Sequence, residues 1–307
     1  MLFVGARCVL VQCGASREAR PAQPPARTLP PSPTSQPLPD SAAEIERSVH
    51  LALGVPRDQD ASDDQLLDEQ SFVLSYNPSK RVPNWVAWRL DRGYFGSVRR
   101  SNDFRPDLSL PARFYRVNES DYLHSGYDRG HMCPSADRQD SRADNSRTFL
   151  FTNMQPQLHE LNAGPWERLE VYARQRAQRG QVLYIVAGGA FSAPFPTIGN
   201  GVAVPAANFK ILVVLDATQR PSDVSSATEV LAVMMPNQHG VGEHDWTEYL
   251  TTVDAIEQAT GYDFLTAVPE PAQRVIEARA WRPERDGRDQ RDERDQRGER
   301  DGREDRP

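Results

Sequence analysis

Two groups of polar residues near the middle of the chain could carry out acid–base and metal chemistry. The first is the run Asp128–His131 (Asp-Arg-Gly-His), which places a guanidinium and an imidazole close together in sequence. The second pairs Asn162 with Glu170, eight residues apart, a spacing that returns to nearly the same face of an α-helix. A base, a cation and a ligand for a hard metal are the parts that phosphodiester cleavage requires.

Each of these side chains suits one part of such a reaction. His131 could take a proton from water, because the ordinary pKa of imidazole lies near neutrality. Arg129 could bind phosphate oxygens in a bidentate manner. The amide oxygen of Asn162 suits Mg²⁺, which keeps most of its own waters, with Mn²⁺ as the alternative ion. Glu170 could orient those waters as a hydrogen-bond acceptor.

Taken one at a time, the same residues have ordinary structural explanations. An asparagine at a helix start is more often a cap than a metal ligand, and Glu170 alone would be a surface residue. His131 alone would be a hydrogen-bonded polar group, and Trp166 is expected in the core. Only the occurrence of all these residues in one order favours a catalytic site.

The elements that must position these residues follow from hydrophobic periodicity. Large residues alternate over 84–90, which predicts a strand. Another strand is predicted to end at His131, and a further one covers Phe149–Asn153, before a helix over Leu158–Gln178. Strand, strand and helix in that order form a ββα unit.

The remaining periodic segments predict the rest of the fold. Further strands are expected at 182–187, 209–215 and 230–235, and a last helix at 252–259. The predicted fold class is α+β, with a central and mainly antiparallel sheet.

Composition divides the 307 residues into one foldable segment and its flanks. Residues 1–13 form an apolar leader, and residues 14–71 are first rich in proline and then acidic, which is typical of a linker. Residues 282–307 are mostly charged, with an arginine at every third position, so a disordered tail is predicted. Residues 72–281 remain as one domain of ordinary size.

The distribution of charge allows a nucleic-acid partner despite the net charge of −7. Residues 40–71 alone contribute −7, whereas residues 72–268 contribute only −2. Contact with phosphates requires a local basic face rather than a positive net charge. An arginine-rich surface that is merely solvated is the alternative interpretation. Arginines that cluster in the N-terminal half of the domain include Arg81, Arg89, Arg92, Arg99, Arg100, Arg105, Arg113, Arg116 and Arg129.

The cysteines and the leader bear on metal chemistry and on cellular location. Cys133 is the only cysteine of the predicted domain, which excludes an internal disulfide and a cysteine-based metal cluster there. We expect it to be a small buried hydrophobic residue rather than a reactive thiol. The leader is too short to span a bilayer and is typical of a weak export signal. We therefore expect an exported protein that is periplasmic, lipid-anchored at Cys13 or secreted.

Three segments together resemble the DNA/RNA non-specific endonuclease family. They are Asp128–His131, Thr152–Gln157 (Thr-Asn-Met-Gln-Pro-Gln) and Leu161–Glu170 (Leu-Asn-Ala-Gly-Pro-Trp-Glu-Arg-Leu-Glu). The first run alone is a weak match, whereas the three segments at this spacing are highly specific. The resemblance covers residues 72–268 and implies a ββα-metal (His-Me finger) fold. It also implies metal-dependent, sequence-non-specific cleavage that leaves 5′-phosphate ends.

The resemblance implies a catalytic role for each matching residue. His131 resembles the general base, and Arg129 is similar to the arginine of the family signature. Asn162 resembles the ligand of a magnesium ion that stabilises the phosphorane and the leaving group. Glu170 is similar to the glutamate that holds the waters of this ion.

The same resemblance implies contacts with the substrate. Asn153 and Gln157 match polar residues that line the site, and Arg99 or Arg100 matches an upstream arginine that contacts phosphate. DNA is the expected substrate, and RNA is the second candidate. The alternatives to an endonuclease are a catalytically silent nucleic-acid-binding module and a scaffold protein built on the same fold.

Overall fold

The folded chain is built around a seven-stranded antiparallel sheet with the strand order β1-β2-β3-β6-β9-β10-β11. The structure is a computed structural model and describes residues 42–283. The strands are β1 (Gln65–Asp68), β2 (Val73–Asn77), β3 (Val82–Leu90), β4 (Asp128–His131), β5 (Met154–Gln157), β6 (Val182–Ala190), β7 (Thr197–Ile198), β8 (Val202–Ala203), β9 (Ala207–Leu215), β10 (Glu229–Pro236) and β11 (Leu250–Thr251).

Short helices surround the sheet. The α-helices are α1 (Ala42–Ile45), α2 (Glu119–Tyr122), α3 (Arg142–Arg147), α4 (His159–Leu161), α5 (Glu167–Gln178), α6 (Val253–Thr260) and α7 (Glu270–Ala278), and a π-helical turn (Asn162–Trp166) joins α4 to α5. The 3₁₀ turns are Val49–Leu51, Ala61–Asp63, Arg92–Tyr94, Ser135–Asp137, Phe151–Asn153, Pro221–Asp223, Val241–Glu243 and Trp246–Tyr249. No helix among residues 42–283 is both long and apolar enough to cross a bilayer.

Both faces of the central sheet are covered, which explains why its inner strands are apolar almost throughout. Because side chains alternate along a strand, Leu212 and Val214 of β9 pack in the same core as Leu169 of α5. Phe209, Ile211 and Val213 pack in a second core with α6 and α7. The predicted α+β class with an antiparallel central sheet is therefore confirmed.

The ββα unit is present, with two differences from its prediction. Strand β4 pairs antiparallel with β5, and His131 lies opposite Met154. The strand expected over Phe149–Asn153 begins only at Met154, because the preceding apolar residues pack inward from a 3₁₀ turn. The helix expected over Leu158–Gln178 is broken at Gly164-Pro165, where Gly164 has non-helical φ and ψ values. Proline lacks the amide hydrogen of the helical ladder, so a break there is expected.

The folded unit begins earlier than the boundary expected at residue 72. Strand β1 pairs with β2, and Leu51, Leu53 and Val55 are buried in the second core. The acidic residues of this segment are not simply solvated, because Asp64 Oδ1 accepts hydrogen bonds from Asn84 Nδ2 (3.1 Å) and Tyr262 Oη (2.8 Å). The predicted leader with Cys13, the proline-rich part of the linker, and residues 284–307 of the predicted tail lie outside the described residues.

Candidate active site

One cleft of about 220 Å³ gathers residues from β4, from the broken helix and from the loop after β3. A second cleft of about 380 Å³ adjoins it and shares Arg100, Arg129 and Asn162. The imidazole and the carboxamide that the sequence separates by 31 residues therefore face the same space. The smaller cleft is lined by Arg100, Arg129, His131, Pro134, Asn162, Ala163, Glu167 and Glu170.

His131 is fixed at the end of β4 by aromatic neighbours. Its ring packs edge-on against Phe149, with the ring centroids 5.0 Å apart, and against Phe104 at 5.7 Å. Its backbone carbonyl accepts a hydrogen bond from Trp166 Nε1 (3.2 Å). Only 8% of the residue is exposed, and Nε2 has no hydrogen-bond partner within residues 42–283. A buried nitrogen without a partner is rare unless a ligand or water completes it.

The protonation state of His131 follows from this burial. Desolvation, and then the nearby charges of Arg100 and Arg129, lower the pKa of the imidazole to about 3. At neutral pH the ring is therefore uncharged and one of its nitrogens can accept a proton. The side chain is a proton acceptor in a cleft that also holds two guanidinium groups.

Asn162 is not the N-cap of a helix but the C-cap residue of α4. Its Nδ2 donates to Asp128 Oδ2 (3.0 Å), and the same carboxylate oxygen lies 2.8 Å from Nδ1 of His159. This bond fixes the rotation of the amide, so the oxygen Oδ1 remains available in the cleft. Asp128 thus orients Asn162, a function that the sequence did not reveal although Asp128 belongs to the conspicuous run Asp128–His131.

Glu170 reaches the cleft from α5 and is neither exposed nor unpaired. Its Oε1 lies 3.2 Å from Nζ of Lys210, and its Oε2 lies 3.8 Å from Nη1 of Arg174. Burial raises the pKa of the carboxyl, and the two cations oppose this rise. Because the helix is broken between Asn162 and Glu170, the shared helix face that motivated their pairing is absent, yet both residues line the cleft.

Lys210 is a second residue that the sequence reasoning missed. It points from β9 toward the face that α5 covers, and its ammonium lies 4.0 Å from the ring centroid of Trp166. The only available signal was a single lysine within the apolar strand 207–215.

The arginines of the site differ in how they are held. Arg129 pairs with Glu119 (2.9 Å), and its guanidinium carbon lies 4.0 Å from the ring centroid of Phe104. Arg100 donates to Ser135 Oγ (2.8 Å) and lines both clefts. Arg99 is exposed and lines neither of these clefts. The geometry therefore favours Arg100 over Arg99 as the upstream arginine.

Two residues that the resemblance placed in the site lie beneath it. Asn153 is fully buried; its Nδ2 donates to the carbonyls of Cys133 (2.8 Å) and Thr148 (2.9 Å), and its Oδ1 accepts from the Cys133 amide (2.9 Å). Gln157 is also fully buried and packs against Gly130, where a Cβ atom would collide with its Oε1. Neither side chain lines either of the two clefts.

Cys133 behaves as the expected small hydrophobic residue. It is fully buried in the first core, and burial raises the pKa of its thiol to about 12. A thiol of that pKa is almost wholly protonated at neutral pH and is a poor nucleophile.

The donor set of the cleft fits a hydrated divalent ion. Asn162 offers a neutral oxygen that accepts no hydrogen bond within residues 42–283. Carboxylates of Glu167 and Glu170 line the same cleft and can accept hydrogen bonds from waters of the ion. Mg²⁺ usually takes few protein ligands and keeps several waters, so a single amide oxygen is sufficient.

A buried neutral imidazole and a free carboxamide oxygen on a ββα unit, with two guanidinium groups in the same cleft, suit the hydrolysis of a phosphate ester. Comparison with known proteins makes the assignment more specific. The family described as DNA/RNA non-specific endonuclease matches residues 56–271. The chain belongs to this family and is an endonuclease.

Individual relatives agree with this assignment. The chain is similar to a nuclease of Nostoc sp., with 44% identity over 237 residues that cover 76% of this chain and 86% of the relative. It is 32% identical to human mitochondrial endonuclease G over 214 residues, which cover 66% of this chain and 69% of the relative. It is 35% identical to the mitochondrial nuclease EXOG of Danio rerio, of which it spans 60%.

A solved structure shares the fold. The crystal structure of a complex between EndoG and EndoGI, described as a mechanism of EndoG inhibition, matches with a TM-score of 0.63 and 26% identity. The match covers 72% of this chain and 91% of the other.

Proposed function

We propose that the chain is a metal-dependent, sequence-non-specific endonuclease that hydrolyses phosphodiester bonds of DNA, with RNA as a second substrate. His131 accepts the proton of the attacking water as the new phosphorus–oxygen bond forms and the bond to the 3′ oxygen breaks. The products then carry 5′-phosphate ends. A general base of this kind contributes roughly 10²–10⁴-fold to the rate.

The observation that carries this proposal is the shared cleft of His131 and Asn162. The unpartnered imidazole nitrogen and the free amide oxygen lie on separate elements, and both residues line the same 220 Å³ space. Mg²⁺ or Mn²⁺ held by Asn162 would supply neutralisation of phosphoryl charge and a polarised water for the leaving oxygen. Glu170 would accept hydrogen bonds from the waters around such an ion.

The two arginines are suited to binding phosphate groups of the substrate rather than to activating the attacking water. Arg100 and Arg129 line both clefts, so a nucleic-acid backbone that runs through the clefts meets both guanidinium groups. Contacts to phosphate position a nucleic acid without reading its sequence. This supports cleavage with little sequence preference.

The proposal is tested with the full chain, supercoiled plasmid and a single-stranded RNA, each with Mg²⁺, with Mn²⁺ and with chelator. We expect His131→Ala and Asn162→Ala to lose at least about 100-fold in cleavage rate while still binding DNA. His244→Ala is the matched control, because that histidine is exposed and pairs with Glu248 outside the cleft. Ligation of the products without prior phosphorylation would identify 5′-phosphate ends.

Three outcomes would contradict the proposed mechanism. Full activity in chelator would exclude the metal, and wild-type rates from either cleft variant would exclude the assigned role of that residue. DNA binding by the wild-type chain without any cleavage would favour the catalytically silent alternative.

We also propose that the chain is exported, either lipid-anchored at Cys13, periplasmic or secreted. The support is the apolar leader and the proline-rich segment that follows it. Mass spectrometry of the N-terminus after expression with an intact leader tests this proposal, and an unprocessed N-terminus on cytoplasmic protein would contradict it.

A further inference from the structure

A cluster of three carboxylates lies far from the nuclease cleft, where α6 approaches α7. Asp254 and Glu257 are on α6 and Glu277 is near the end of α7. One oxygen of each lies within 4.8 Å of the others. Both helices pack on the sheet face opposite α5, since Ile256 and Ile276 belong to the second core. The cluster is therefore separate from the candidate active site.

Glu277 is the unusual member of this cluster. Only 5% of the residue is exposed, and its Oε1 has no hydrogen-bond partner within residues 42–283. Buried carboxylates are normally paired or coordinate a metal. Within residues 42–283, no lysine or arginine forms an ion pair with Glu277, Glu257 or Asp254. A buried acceptor thus lies beside two further acids, and no paired cation compensates the group.

The other two carboxylates leave the cluster accessible. Asp254 is exposed and Glu257 is partly exposed, so an ion can enter from solvent. The Phe264 amide donates to Oε1 of Glu257 (2.9 Å), which fixes that side chain and leaves its second oxygen free. Glu257 is therefore held in place before any ion arrives.

We propose that Asp254, Glu257 and Glu277 form a calcium site that joins α6 to α7. Three carboxylates offer up to six oxygens, and Ca²⁺ accepts six to eight oxygen ligands in flexible geometry. Mg²⁺ demands near-octahedral geometry and usually binds only one or two carboxylates. The charge and the number of these donors therefore favour Ca²⁺.

The position of the site defines its effect. Helix α7 buries Ile276 in the second core, and shortly after it Trp281 Nε1 donates to Glu229 Oε1 (2.7 Å) on β10. Without a cation, the ionised carboxylates repel one another at the contact between α6 and α7. Bound Ca²⁺ removes this repulsion and stabilises the C-terminal helix on the sheet.

The site is tested in the full-length Asn162→Ala chain, which lacks the candidate ligand of the active site. After removal of metals with chelator, CaCl₂ is added and both heat release and thermal unfolding are measured. We expect one Ca²⁺ per chain and a rise in Tm of about 5–10 °C when Ca²⁺ exceeds its Kd 100-fold. A second substitution in this chain, Glu277→Gln, should abolish both the heat of Ca²⁺ binding and the rise in Tm.

Glu270→Gln is the matched control for this substitution. Glu270 is on the same helix but is exposed and pairs with Arg274, so the calcium response should persist. If Glu277→Gln folds poorly, Asp254→Asn removes an exposed ligand and should weaken Ca²⁺ binding at least about tenfold, the equivalent of one charge-assisted contact.

Absence of binding at about 10 mM Ca²⁺, a concentration well above the Kd of the weakest usual calcium sites, would overturn the proposal. An equal response from Glu277→Gln would also overturn it, and neither result bears on nuclease activity.

Discussion

The ammonium of Lys210 lies 3.2 Å from the carboxylate of Glu170, and only 1% of the lysine side chain is exposed. The lysine belongs to the central sheet and the glutamate to the helix over it, so this pair ties the cleft to the core. Arg174 completes the group, 3.8 Å from Glu170 and 3.3 Å from Asp137. Removing one partner of a buried pair leaves an uncompensated charge, which is far more costly than removing both.

Lys210→Met should therefore destabilise the fold by about 3 kcal/mol and also lower activity. The double variant Lys210→Met, Glu170→Met should recover part of the stability, because no carboxylate is then left next to the missing cation, but it should not recover cleavage. Urea unfolding and plasmid cleavage separate the two effects. Recovery of activity in the double variant would show that Glu170 serves only packing.

Arg100→Ala should weaken cleavage more than Arg99→Ala. Loss of a charge-assisted contact of about 1.5–3 kcal/mol corresponds to roughly 10- to 100-fold in kcat/KM, and only Arg100 lines the two clefts. Because phosphate contacts release counterions, the Arg100→Ala variant should also show a shallower dependence of KM on salt. Equal losses from both variants would contradict the assignment of Arg100.

Asp128→Ala should raise the concentration of Mn²⁺ needed for half-maximal cleavage. The Asp128 carboxylate holds the Nδ2 of Asn162, and loss of such a supporting contact typically costs 10–100-fold in metal affinity. His159→Ala is the matched control, since His159 contacts the same oxygen but its side chain is 79% exposed. An unchanged Mn²⁺ requirement in Asp128→Ala would show that Asn162 needs no such support.

The strands that the sequence predicted correctly are those whose pattern of apolar residues directly reflects which side chains are buried. The apolar runs of β6 and β9 were read correctly as strands, because both faces of these strands meet a core. The apolar run Phe149–Phe151 was misread as a strand, since Phe149 packs on His131 from a turn and Phe151 begins a 3₁₀ turn. The apolar pattern indicates which residues are buried, but not whether the backbone that carries them is a strand or a turn.

The sequence predicted which types of residue form the site, but not the direction in which each side chain points. Asn153 and Asn162 have the same side chain, yet one holds backbone groups in the interior and the other faces the cleft. Spacing carries no information on this difference. The acidity of residues 40–71 likewise suggested a solvated segment, whereas Asp64 accepts hydrogen bonds from within the fold.

Asn153→Ala should act on stability rather than on substrate binding. The substitution removes three buried hydrogen bonds and leaves their backbone partners unsatisfied, at a cost of about 2–4 kcal/mol. We expect a lower Tm and an unchanged KM at low temperature. A raised KM together with wild-type stability would contradict this prediction and indicate that Asn153 contacts the substrate.

Glu69 should make the fold less stable as the pH rises. Burial, and then the neighbouring Asp107 carboxylate, raise the pKa of Glu69 from 4.5 to about 8. Between these values the folded chain binds one more proton than the unfolded chain. The free energy of unfolding should then fall by about 1.4 kcal/mol per pH unit from this group. The contribution is fully present below pH 4.5 and is lost as the pH approaches 8.

Glu69→Gln should flatten this dependence, because the amide stays neutral throughout and can still accept from Ser109 Oγ, which lies 3.3 Å from the native carboxylate. Urea unfolding of both chains at several pH values across the window measures the two slopes. Glu270→Gln, at an exposed position, should keep the wild-type slope. Parallel curves for wild type and Glu69→Gln would mean that Glu69 is ionised in the folded state and that another group sets the pH dependence.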